Sequence, residues 1–149
     1  MVYFRFFTVL KPPDDVAIRV FLIAAALSFV AVAFVFTLPL QLLEHVSIPW
    51  TVHGWSGILL FILIAPVSEE LLFRGFLFGF LRQNFSVGIS VAISAACFAL
   101  MHGSLLSPQL AGGIIFALGY EYSRNLWVPI LLHTGANTAV LLIDQIKLT

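Results

Sequence analysis

The chain has 149 residues, 61% of them hydrophobic and 9% charged, and its mean hydropathy is +1.08. A soluble domain carries roughly 45 to 50% apolar and about 25% charged residues, so lipid is the solvent for most of this sequence. Seven basic and seven acidic residues cancel without any basic run, which excludes nucleic acid as a partner, because holding phosphates needs a basic footprint.

At ~20 residues per span, the length allows about five helices, and the fold class read from it is all-α: a polytopic transmembrane bundle forming a single membrane-embedded domain over 1–149. Residues 1–15 open with Tyr3, Phe4, Phe6 and Phe7 interleaved with Arg5 and Lys11, the make-up of a segment lying at the headgroup level. Pro12 and Pro13 break it, and Asp14 or Asp15 can cap a first spanning helix that runs through Arg19 to about Leu43. The first long apolar run begins only after Arg19, which argues for a retained helix rather than a cleaved signal.

Glu44 to Gly54, with His45, Pro49 and His53, reads as a loop, and Trp50 and Trp55 suit a membrane interface. The second span, Trp55 to Leu81, contains Pro66 as a kink point and places Glu69, Glu70 and Arg74 near its middle. Two shorter apolar runs follow, Val87 to Met101 and Leu110 to Tyr122, separated by His102 to Gln109. Leu126 to Ile143 closes the bundle. Small residues four apart, such as Gly75 and Gly79, Ser90 and Ser94, and Gly113 and Ala117, let neighbouring helices approach closely. Cys97, the only cysteine, lies in an apolar run and behaves as a small hydrophobe. With the N-terminus cytoplasmic, Arg5, Lys11, Arg19, Arg82 and Arg124 fall inside and Lys147 outside, as the positive-inside rule asks; a cell-membrane location is expected.

An unpaired charge at the bilayer centre costs roughly 2.5 to 3.5 kcal/mol even on a lenient scale, so three ionisable groups within six residues of the second span need compensation. Glu70 and Arg74 are four apart and can pair on one helix face. That leaves Glu69, about 100° round the helix, as the candidate base. A buried ion-pair network that only fixes packing is the plainer alternative. His102 follows Phe98 by one turn and His133 precedes Asn137 by one turn, so each pair shares a face. Hydrolysing an amide needs a base to activate water, a proton donor for the leaving nitrogen and donors to hold the oxyanion, and Glu69, His102, His133 and Asn137 can supply those roles. Two histidines and a glutamate are also an acceptable zinc set, although no His-Glu-x-x-His helix is present. A proton-coupled carrier would use the same residues as a relay, but no inverted repeat supports it. Helix geometry raises one difficulty: Glu69 and His133 fall near mid-membrane, whereas His102 sits at the outer end of its run, roughly 10 Å away in depth at ~1.5 Å per residue.

Glu69-Glu70-x-x-x-Arg74, Phe98-x-x-x-His102 and His133-x-x-x-Asn137, in that order, resemble the motifs of the CPBP intramembrane proteases. This family, also called the CAAX protease and bacteriocin-processing or Abi family, is related to the type II CAAX prenyl endopeptidases. Phe73-Arg74-Gly75 and Leu126-Trp127-Val128-Pro129-Ile130 look like the same family, and the resemblance covers 55–143. It implies an endopeptidase acting on a membrane-associated or lipid-modified peptide or protein, with Glu69 activating water assisted by His102. His133 and Asn137 would stabilise the oxyanion, and Glu70 with Arg74 and Phe98 would organise the site. It also implies glutamate-type catalysis with no metal or other cofactor. Since relatives are associated with bacteriocin self-immunity, a non-catalytic immunity or binding protein is the alternative within the same family.

Overall fold

The computed structural model describes residues 12, 14–23, 26, 52, 54–103 and 108–147, with the backbone alone for 145–147. The proposed headgroup-level segment 1–11, the first helix beyond residue 26 and the loop with His45, Trp50 and His53 lie outside the described residues. Among the described residues there are five helices: α1 (15–23), α2 (Gly54–Asn84), α3 (Val87–Met101), α4 (Pro108–Ser123) and α5 (Trp127–Lys147). α1 begins as the sequence suggests, with Asp14 Oδ1 accepting the Ala17 amide at 2.9 Å, an N-cap bond.

Surface and interior are exchanged relative to a soluble protein. Leu59, Leu60, Leu63, Ile64, Phe76 and Phe80 of α2 are all more than half exposed, while Glu70, Arg74, Ser90, Ser94 and Asn125 are fully buried. Buried polar groups and a broad exposed apolar surface together mark a bundle built for lipid. Among the described residues, α2 and Trp127–Asp144 of α5 are long and apolar enough to cross a bilayer. The protein is thus an all-α membrane helix bundle. α3 and α4, at 15 and 16 residues, are shorter than the ~20 residues a span requires.

One aromatic cluster joins all five helices: Ala17 from α1, Phe73 from α2, Phe98 from α3, Phe116 from α4, and Val128 and Leu132 from α5. α3 and α4 approach so closely that a Cβ on Gly113 would lie 3.0 Å from Ala95 Cα; the small residues at this crossing permit the contact. In the α4–α5 connection Ser123, Asn125 and Leu126 are buried on either side of exposed Arg124, and buried backbone groups must find partners within the protein. Ser123 Oγ donates to the Asn125 carbonyl and accepts the Asn125 amide, both at 3.2 Å, and Asn125 Oδ1 accepts the Trp127 amide at 3.0 Å.

α2 is not a uniform α-helix. Leu60–Ile64 and Leu71–Phe78 are π-helical, on either side of the α-helical segment Ala65–Glu70 that carries Pro66 and both glutamates. Where the sequence suggests a kink at Pro66, the structure has this change of helical register. Such π segments are rare and concentrate at functional sites.

Candidate active site

The three motifs converge. Glu70 and Arg74, fully buried, pair at 3.0 Å between Oε1 and Nη1, as their spacing on α2 suggests. The same Glu70 oxygen accepts from His133 Nδ1 of α5 at 3.0 Å, and Arg74 Nη2 donates to the Gly113 carbonyl of α4, also at 3.0 Å. The guanidinium carbon stands 4.8 Å from the ring centre of Phe98, 5.4 Å from Phe116 and 5.8 Å from Phe73. A cation boxed by three aromatic faces gains from their quadrupoles when water is excluded.

Glu69 looks the other way, into a cavity of about 370 Å³, within the usual range for a ligand site. Glu69, His102, His133 and Asn137 all line it, with Phe98 beside them, and Leu60, Phe61, Ala65, Ala136 and Val140 form an apolar wall. Glu69 Oε2 lies 3.6 Å from His102 Nε2 and 3.9 Å from His133 Nε2. These separations are too long for direct hydrogen bonds.

Hydrogen bonds on the far side of each ring define how the histidines face the cavity. His102 Nδ1 donates to the Phe98 carbonyl at 2.8 Å, since a carbonyl only accepts, and its Nε2 faces Glu69. His133 Nδ1 donates to Glu70, and its ring is stacked on Phe116 at 4.9 Å and edge-on to Phe98 at 5.5 Å. Phe98 also packs 4.6 Å from the His102 ring, which makes it the hub that orients both imidazoles and the arginine. Asn137 Nδ2 donates to the Phe61 carbonyl at 2.8 Å.

The depth difference expected for His102 is corrected by the structure. α3 runs from the Asn84 end of α2 for 15 residues, about 22 Å, and Glu69 stands the same number of residues back from Asn84. Measured from their shared end, the two residues are level. α3 is the shorter apolar run that the sequence shows, and it ends at Gly103, whose φ of +101° stops the helix at little cost only because the residue lacks a Cβ.

Residues 49–139 match the family model described as type II CAAX prenyl endopeptidase, Rce1-like. The chain belongs to this family. The match contains all three motifs, and the resemblance drawn from them holds. The chain is 32% identical over 84 residues to "Putative membrane peptidase YdiL" of Bacillus subtilis, covering 55% of this chain and 34% of that protein. It is 34% identical over 93 residues to "Membrane-embedded CAAX protease MroQ" of Staphylococcus aureus, covering 57% and 38%. It is 32% identical over 89 residues to "UPF0177 protein YxdF" of Lactococcus lactis, covering 55% and 49%. The chain thus spans between about a third and a half of these relatives' length. No solved structure matches it.

The structure adds participants that motif reading did not assign to the site. Gly113, noted in the sequence only for close packing, supplies the carbonyl that anchors Arg74. Phe116 stacks on His133, and the Phe61 carbonyl holds Asn137. Only the small-residue spacing around Gly113 gave any advance signal; one phenylalanine among fifteen does not announce itself, and a backbone carbonyl has no signature.

Proposed function

We propose that this member of the family is an intramembrane endopeptidase that hydrolyses a peptide bond in a membrane-associated or lipid-modified substrate by glutamate-type catalysis. The observation that carries the reading is Glu69 Oε2 facing the Nε2 atoms of His102 and His133 at 3.6 and 3.9 Å inside the cavity. In this route a water bound beside Glu69 and His102 donates a hydrogen to the Glu69 carboxylate. The water oxygen's lone pair is then aimed into the cavity.

As that oxygen attacks the substrate carbonyl carbon, Glu69 takes the proton and the carbonyl π pair moves to oxygen. The free N–H of Asn137, and His133 Nε2 when it too carries a proton, stabilise the oxyanion. Collapse of the tetrahedral intermediate breaks the C–N bond, and the proton taken from water passes to the leaving nitrogen. Glu70 and Arg74, behind the cavity wall, hold His133 and touch no substrate. The route needs no metal. A chelator is the direct test of that. The apolar wall and the membrane setting support a substrate presented from lipid, in keeping with the CAAX name that MroQ carries.

The deciding experiment compares wild type and Glu69→Gln in proteoliposomes on quenched peptides, prenylated and plain, with and without chelator. Wild-type cleavage that falls by about 10²- to 10⁴-fold in the variant and survives chelation is expected. Equal cleavage by both proteins overturns the assignment of Glu69, loss on chelation overturns the metal-free route, and silence from both on every peptide favours the immunity or binding reading.

A further inference from the structure

The Leu60–Ile64 stretch of α2 bonds in the π register: the Ala65 amide donates to the Leu60 carbonyl, five residues back. The next carbonyl, that of Phe61, would take the amide of residue 65 in an α register or of residue 66 in a π register. The first is committed, and the second belongs to Pro66, which has no N–H. The local sequence therefore leaves the Phe61 oxygen with no donor in its own helix. It is satisfied from 76 residues away, by Asn137 Nδ2 of α5 at 2.8 Å.

That bond settles more than an orphan acceptor. A carbonyl cannot donate, so the Asn137 carboxamide is held nitrogen toward Phe61, leaving its second N–H for the cavity that Asn137 lines. Phe61, Ala65 and Glu69 follow one another at four-residue spacing and line the same cavity. One turn earlier on α5, His133 is held by Glu70. α5 is thus pinned to α2 at two points, and Pro66, fully buried, lies between them on α2.

The geometry points to Pro66 as a positioning residue. By withholding a donor from the Phe61 carbonyl, it creates the acceptor that orients the Asn137 amide toward the oxyanion. This rests on the oxyanion role given to Asn137 in the proposed function. Replacing Pro66 by alanine returns an N–H that competes for Phe61, and valine does so while keeping more of the buried volume.

In proteoliposomes, Pro66→Ala and Pro66→Val are expected to lower kcat by about tenfold or more with KM changed less than about twofold. Combined with Asn137→Ala, either is expected to add nothing to the loss caused by Asn137→Ala alone, because both changes break one bond. Wild-type kcat in both proline variants, or multiplying losses, overturns the proposal. A second readout does not depend on turnover: in ¹⁵N-labelled wild type, one of the two Asn137 side-chain amide protons is expected downfield, and the shift is expected to collapse in the proline variants. Its absence from wild type overturns the proposal whatever the activity. A catalytically silent wild type with the shift intact sinks the hydrolase reading and leaves the orienting bond standing.

Discussion

Glu69 and Glu70 are adjacent in the chain and face opposite environments. The Glu69 side chain is 29% exposed to the cavity, and Glu70, with Arg74, is at 0%. For the buried pair, removing one partner strands a charge, which typically costs about 3 to 5 kcal/mol, whereas removing both is far milder. Arg74→Met is therefore expected to lower the unfolding midpoint in lipid sharply, and Glu70→Gln with Arg74→Met to recover most of the loss; equal midpoints for the single and double variants would contradict this. The i, i+4 pairing of Glu70 with Arg74 was legible in the sequence, because helical spacing alone sets it. Which oxygen takes His133, and which carbonyl takes Asn137, was not, because those partners come from another helix and depend on how the two helices are registered.

Between elements, closeness is controlled by two glycines whose surroundings differ. A Cβ on Gly113 would meet Ala95 Cα at 3.0 Å and its Cβ at 3.2 Å, backbone that cannot swing away, whereas on neighbouring Gly112 it would meet only the Phe116 side chain, at 3.6 Å. Gly113→Ala is expected to cost about 1 to 3 kcal/mol and to loosen the Arg74 anchor. Gly112→Ala is expected to be close to neutral, and thermal unfolding of the two in one lipid distinguishes them. A separate effect is expected at the end of α3: Gly103→Ala strains a backbone at φ +101° by roughly 1 to 3 kcal/mol and displaces the adjacent His102, so its cleavage rate should fall more than its stability. Apolar runs and breaker residues made the helices from α2 onward readable to within about four residues at either end. The π stretches escaped, because a single residue's excess per turn changes no hydrophobic pattern, and so did the stopping depth of α3, which is visible only against α2.

For the molecule as a whole, charge sets the expected orientation. Where α2 and α4 end together, Arg82 Nε meets Glu121 Oε2 at 3.1 Å and Arg124 Nη2 meets Glu121 Oε1 at 2.7 Å, two basic groups around one acid. This end is expected to face the cytoplasm. In a Cys97→Ala background, a cysteine at exposed Gln83 should react with an impermeant maleimide only from inside the cell, and one in place of Trp55, itself 83% exposed, only from outside. The reverse pattern refutes the orientation.

The shortness of α3 has a bearing on supply. A helix of about 22 Å is about 8 Å shorter than a hydrocarbon layer of about 30 Å is thick, and His102 stands at its end. The hydrolase proposed above would consume two reactants, and the peptide, arriving with its lipid, would be the abundant one. The scarce reactant is water, and the truncated helix leaves it the shorter journey.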